Sequence, residues 1–115
     1  MNNFIDVKLE IFIPESHITQ VRDALVEIGV GVIGKYDYCF AISQVQGSFR
    51  PLEGANPFDG KVGEITFSVE SKLEVNCRRE LVEEALAAVR RSHPYEEPLI
   101  NIFPLANHLF VVRNP

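Results

Sequence analysis

Residues 4–28 read FIDVKLEIFIPESHITQVRDALVEI, and the spacing of their apolar residues changes at Pro14. Before Pro14 every second residue is apolar, which predicts a half-buried strand over Phe4–Ile13. After Pro14 the apolar residues recur at intervals of three and four, which predicts an amphipathic helix over Glu15–Ile28, followed by Gly29 as a stop signal. This opening stretch therefore predicts a strand that leads directly into a helix.

The second half of the chain has the same order of patterns. Residues Glu64–Val75 alternate as a long strand, and a change of pattern near Glu70 suggests a bulge or bend. An amphipathic helix is predicted over Arg78–Ser92, and a short apolar strand over Leu99–Pro104. The chain thus contains two strand-helix units, each needing further strands to complete a sheet.

Those further strands are expected between the two units and at the end of the chain. Residues Tyr36–Val45 alternate, and their aromatic side, with Tyr36, Tyr38 and Phe40, is expected to face the core. A long loop rich in glycine and proline follows over residues 46–63. The apolar run His108–Val112 is typical of one more short strand.

The order strand, helix, strand, strand, helix, strand predicts an α+β fold, the ferredoxin-like βαββαβ sandwich. In that fold an antiparallel sheet carries both helices on one face, and the tail would add an extra C-terminal strand here. A doubly wound parallel sheet is excluded because no helix is predicted between the second and third strands.

Length and charge narrow the function classes. The chain has 115 residues, so a single domain spanning residues 1–115 is expected. Its formal net charge of -5 argues against DNA, RNA or anionic membranes as partners, because those surfaces are bound largely by clustered lysine and arginine. With neither a leader pattern nor an apolar run of membrane-spanning length, we expect a cytoplasmic protein with reduced cysteines.

Histidine and carboxylate residues raise the alternative of a divalent cation site. The candidate ligands are His17 at the start of the first helix and His93, Glu96 and Glu97 after the second. Three ligands would have to converge, and the spacing of the turn HPYEEP brings at most two together. Two prolines account equally well for that segment as a rigid turn.

Four strings in the sequence together resemble a known family. They are IFIPESHITQVRDAL, IGKYDYC, GSFRPLEGANPFDGKVGE and HPYEEP, and they cover most of the chain. They resemble the domain inserted in dinuclear-metal-centre hexameric proteins, also called GTP cyclohydrolase 1 type 2 homologues. That inserted domain is similar to the CutA divalent-cation-tolerance proteins and the PII signalling proteins.

The resemblance implies a CutA/PII-like fold and a homo-oligomer, expected to be a trimer. CutA proteins have a similar turn, which corresponds here to His93, Tyr95 and Pro98, and residues 46–63 would take the place of the PII regulatory loop. The family's metal-binding residues belong to a larger flanking domain. We therefore carry over neither the dinuclear centre nor a hydrolase activity.

Our leading hypothesis is a non-enzymatic, self-assembling module that binds a small ligand, a divalent ion or a protein partner in its inter-subunit clefts. The candidate binding residues are Arg50, Glu53 and Asn56 from the loop and His93, Tyr95 and Glu96 from the turn. Arginine would supply a fixed charge and histidine a titratable donor. Two alternatives stay open: a small metal-dependent or acid-base enzyme using His93 with Glu96 or Glu97, and a purely structural interaction protein.

Overall fold

The computed structural model describes residues 3–110, which form four strands and two α-helices. Each α-helix begins with an extra turn of 3-10 helix. No helix in this part of the chain is long and apolar enough to cross a membrane. The elements are β1 (Asp6–Ile13), α1 (Ile18–Glu27), β2 (Ala41–Phe49), β3 (Thr66–Arg78), α2 (Val82–Ser92) and β4 (Ile100–Pro104).

The four strands form one sheet in the order β2-β3-β1-β4, and all neighbours are antiparallel. Leu9 of β1 lies opposite Val75 on one side and Ile102 on the other, which fixes the register of the central strands. This arrangement, with α1 packed beside α2, confirms the predicted ferredoxin-like sandwich.

The core lies between the sheet and the two helices. Alternate residues of β1 are fully buried, as the period-two pattern predicts, and the residues between them face away from the helices. The buried residues of the core are Val7, Leu9, Ile11 and Ile13 of β1, Leu73, Val75 and Cys77 of β3, Val21 and Leu25 of α1, Val30, and Ala85, Ala88 and Val89 of α2.

The second strand differs from its predicted position. Tyr38 has a left-handed backbone with φ 55°, which a strand does not accommodate, so residues 36–40 form a connector and β2 begins at Ala41. The aromatic side predicted for the core is mostly outside it, since Tyr36 is 71% exposed and Ile42 is also exposed. Only Phe40 of that side packs partly against the core.

Strands β2 and β3 continue past the end of β1 as a two-stranded ribbon, in which residues 45–49 pair with residues 66–70. The register along β3 is continuous, so the bulge predicted near Glu70 is absent. The pattern changes there because Leu73 lies under the helices, whereas Phe67 and Val69, on the same side of the strand, extend beyond them and are exposed.

The predicted C-terminal strand is not formed by residues that the structure describes. Asn107–Leu109 form a single turn of 3-10 helix, closed by a hydrogen bond from the Leu109 amide to the Ala106 carbonyl. The remainder of the predicted strand, Val111 and Val112, lies outside the described residues.

Candidate functional site

A cavity of about 640 Å³ lies between the loop that joins β2 to β3 and the turn after α2. Residues of the ribbon and of the end of β1 also line it. Most of the lining is apolar, and charged side chains lie among the apolar ones. The apolar part consists of Phe12, Val45, Phe49, Pro51, Leu52, Ala55, Pro57, Phe58, Tyr95 and Leu99. The charged part consists of Arg50, Asp59, Glu70, Glu96 and Glu97.

His93 fixes the turn that forms one wall. Its Nε2 lies 2.7 Å from the Phe12 carbonyl oxygen, and its Nδ1 lies 3.1 Å from the amide nitrogen of Tyr95. A carbonyl only accepts and an amide N–H only donates, so the ring carries its proton on Nε2. Burial lowers the pKa of His93, which favours this neutral form.

Tyr95 is the centre of an aromatic cluster between turn and loop. Its ring centroid lies 4.9 Å from that of His93, 6.4 Å from that of Phe49 and 6.0 Å from that of Phe58. Burial, followed by the charge of Glu70, raises the pKa of Tyr95 to about 12. The phenol therefore stays protonated at neutral pH and is available as a donor toward that carboxylate.

Backbone contacts hold the loop in place. The Asn56 amide donates to Glu96 Oε1 at 3.2 Å, which joins loop and turn directly. The Gly60 amide donates to Asp59 Oδ1 at 2.9 Å within a tight turn, and Gly60 has φ +87°, a conformation that favours glycine. On the ribbon, the Glu70 carboxylate lies over Gly47, where a Cβ would collide with it.

The six predicted binding residues lie in different places. Three line the cavity, namely Arg50, Tyr95 and Glu96. Asn56 is next to it through its backbone bond to Glu96, whereas Glu53 is exposed and outside the lining. His93 is only 7% exposed and lies behind the wall, so its role in the structure is to hold the turn. Ligand contacts by any of these residues stay a prediction.

The candidate metal ligands do not converge. Among residues 3–110 no three histidine, cysteine, aspartate or glutamate side chains are grouped as a metal site. Both ring nitrogens of His93 are used by the backbone, and His17 Nδ1 lies 2.9 Å from Ser16 Oγ. The alternative of a metal-dependent enzyme built on His93 with Glu96 or Glu97 therefore lacks a ligand set in the described part of the chain.

Sequence reasoning missed the contribution of the strands to the cavity. Phe12, Val45 and Glu70 all line it from the side of the sheet that faces away from the helices. One signal was present, because Phe12 is the only large apolar residue of β1 on the side otherwise occupied by Asp6, Lys8 and Glu10. An apolar residue on a polar side indicates that something covers it.

No protein-family model matches the chain. Among curated proteins, the chain is 46% identical over 100 residues to the GTP cyclohydrolase 1 type 2 homolog of Halalkalibacterium halodurans, covering 87% of this chain and 27% of that protein. It is 41% identical over 98 residues to the Bacillus subtilis protein of the same name, covering 85% of this chain and 26% of that one. The chain therefore spans about a quarter of the length of these relatives.

Solved structures agree with the same two resemblances. A Bacillus cereus protein related to NIF3 matches with a TM-score of 0.78 and 31% identity, covering 93% of this chain and 27% of that chain. CutA from Archaeoglobus fulgidus matches with a TM-score of 0.67 and 19% identity over 89% of this chain and 85% of that one. Bacillus subtilis GlnK matches with a TM-score of 0.62 and 16% identity, covering 89% of this chain and 86% of that one.

These comparisons confirm the resemblance drawn from the four sequence strings. The chain is homologous to one portion of GTP cyclohydrolase 1 type 2 homologues, and its fold is that of CutA and PII proteins. Since the likeness to CutA and GlnK is below 20% identity, it establishes the fold alone.

Proposed function

We propose that this chain is a non-enzymatic, self-assembling CutA/PII-like module that binds a small ligand in the cavity between loop and turn. The observation that carries the proposal is the cavity itself, about 640 Å³ in volume and mainly apolar in lining. Ligand sites in proteins are typically about 300–1,000 Å³, apolar, and equipped with a few polar groups that orient the ligand.

The construction of the cavity supports this role over that of a passive linker. The loop is fastened to the turn by the bond from Asn56 to Glu96 and by the contact of Phe58 with Tyr95. His93 in turn attaches this segment to β1. Because these contacts fix the loop before any ligand arrives, less conformational entropy is lost when a ligand binds.

Self-assembly is supported by the exposed apolar surface of the ribbon. Phe67 and Val69 lie on one face of the part of β3 that extends past the helices, and Phe67 is 70% exposed. Contiguous exposed apolar patches in globular proteins mark interaction surfaces. A second and a third copy of this chain are the partners that the resemblance to CutA and PII proteins favours.

Two measurements test the proposal. Native mass spectrometry at micromolar concentration is expected to show a trimer, and a monomer alone would contradict self-assembly. A thermal-shift panel of small metabolites is expected to contain compounds that raise the melting temperature in proportion to their concentration, as ligands of the folded state do.

A purely structural interaction role is the second candidate. It is favoured by the contacts that the loop makes with the rest of the chain, such as Phe58 against His17 and Phe49 against Tyr95. Under this alternative the loop only extends a protein-binding surface, and no small molecule in the panel would stabilise the protein.

A further inference from the structure

We propose that the cavity selects a small organic cation, an amine or quaternary ammonium group carried on an apolar body. This inference rests on the proposed function, because it names the ligand class for the same cavity. It is carried by two features of the lining that occur together, a cluster of aromatic rings and an excess of carboxylates.

The aromatic rings provide the first feature. Tyr95 lies between Phe49 and Phe58, with centroid separations of 6.4 and 6.0 Å, and all three side chains line the cavity. The rings are tilted to one another by 47° and 51° rather than stacked face to face. The faces of such rings attract a cation, and more strongly where water is partly excluded.

The charges around the cavity provide the second feature. Four carboxylates line it, those of Asp59, Glu70, Glu96 and Glu97, against the one guanidinium of Arg50. None of the five ion pairs found among residues 3–110 involves any of these four carboxylates. The lining therefore carries more negative than positive formal charge, an arrangement that attracts cations more than anions.

Glu70 is a lining carboxylate that interacts with the Tyr95 hydroxyl. Its side chain lies over Gly47 in the wall of the ribbon, and its charge and hydrogen bond are among the causes that raise the pKa of Tyr95. An aromatic side chain and a negative charge thus lie next to each other in the lining. A group with apolar substituents around a positive centre matches both.

The size of the cavity favours a small molecule over a larger partner. A volume of about 640 Å³ accommodates a metabolite of ordinary size. The mainly apolar lining requires the ligand to bring apolar surface as well as charge, so a bare metal ion or a strongly hydrated ammonium ion fits it poorly.

The test compares three probes of nearly the same shape but different charge: choline, 3,3-dimethylbutan-1-ol and 3,3-dimethylbutanoate. Binding to the full chain is followed by amide shifts in ¹H–¹⁵N correlation spectra, read at Gly47, Asn56 and Tyr95. Choline is expected to bind about tenfold more tightly than the neutral alcohol, the factor expected for a partly desolvated ring cluster, with the anion weakest.

Two variants locate the preference. Glu70→Gln keeps the shape of the wall but removes its charge, so the factor between choline and the alcohol is expected to fall to about threefold. Tyr95→Leu is expected to weaken choline binding further. The matched control is Tyr36→Leu, an exposed tyrosine outside the cavity lining, for which the tenfold preference is expected to persist.

The outcomes separate the two proposals. If the alcohol or the anion binds at the cavity as tightly as choline, the cavity is a ligand site but the inference about charge is wrong. If none of the three probes shifts the cavity amides, the charge inference fails and the metabolite panel decides whether the proposed function fails with it. If Glu70→Gln and Tyr95→Leu leave the preference unchanged, the cation binds elsewhere and the inference is overturned.

Discussion

The Nε2 of His93 donates to the carbonyl oxygen of Phe12, 2.7 Å away and 81 positions earlier in the chain. This bond joins the turn after α2 to the end of β1 and so fixes the position of Tyr95, two residues further on. Tyr95 then meets Phe49 and Phe58 of the opposite wall. A buried histidine, with both ring nitrogens bonded to the backbone, therefore holds one wall of the cavity in place.

The stability of the protein should fall in mild acid because of His93. Burial lowers its pKa in the folded state, so the unfolded chain takes up a proton that the folded chain resists. The loss begins as the pH falls through the ordinary histidine pKa of about 6.5 and ends below the folded pKa.

The variant His93→Gln isolates this effect. The glutamine keeps an amide donor for the Phe12 carbonyl but cannot take up a proton. At pH 7.5 we expect its free energy of unfolding to be about 1–3 kcal/mol lower than that of the wild type. Urea unfolding should show that the two proteins differ less in free energy of unfolding at pH 5 than at pH 7.5. A gap that stays constant or widens would show that His93 does not titrate as described.

The stability of the protein at alkaline pH should depend on Tyr95. Its pKa is raised to about 12, so its contribution to stability is complete below the ordinary tyrosine pKa of about 10 and is lost as the pH rises through about 12. The free energy of unfolding of the wild type should therefore fall relative to that of Tyr95→Phe as the pH rises from 8 to 11. Chemical unfolding of both proteins between pH 8 and 11 measures this, and parallel curves would contradict it.

The loop should be sensitive to substitution at Gly60. Gly60 and Gly54 both have positive φ, +87° and +93°, so alanine at either position carries a backbone cost of about 1–2 kcal/mol. At Gly60 a Cβ would also press on Thr66 Oγ1 and Phe49 Cε2, whereas at Gly54 it would meet no atom within 4 Å. Gly60→Ala should therefore lower the free energy of unfolding more than Gly54→Ala, and equal losses would show that the loop does not pack on Phe49.

Assembly should depend on Phe67. Because this side chain is largely exposed, Phe67→Ser should change the free energy of unfolding of a single subunit by no more than about 0.5 kcal/mol. It should nevertheless shift the native mass toward monomer. Tyr36→Ser, at an equally exposed aromatic residue outside the ribbon, is the control that should keep the wild-type mass. If both variants assemble as the wild type does, the ribbon is not the interface.

Periodicity predicted the strands and helices wherever one side of an element is covered by the other layer. Over Asp6–Ile13 the buried residues are those that the spacing indicates. In α2 the expected Ala85 and Val89 are buried, together with Ala88, which the spacing did not indicate. It failed for the predicted strand Tyr36–Val45, where Tyr36, Tyr38 and Ile42 alternate as in a buried strand but lie at the surface. A period-two pattern shows that two sides differ, and it does not show where the covering layer ends.

The candidate site was predicted in part, since the loop and the turn were both selected and do meet. The sequence did not indicate that both ring nitrogens of His93 would be hydrogen-bonded to the backbone of Phe12 and Tyr95. Nor did it indicate Glu70, which enters the cavity only because β3 continues past the helices. Both depend on contacts between residues far apart in the chain.

The proposed function depends most on whether the cavity holds a ligand, and filling the cavity tests that directly. Ala55 lines the cavity and Ala87 is exposed on α2, so Ala55→Trp and Ala87→Trp add the same side chain inside and outside it. Metabolites that raise the melting temperature of the wild type should lose their effect on Ala55→Trp and keep it on Ala87→Trp. An equal response of the two variants, or no stabilising compound at all, would contradict a ligand site in this cavity.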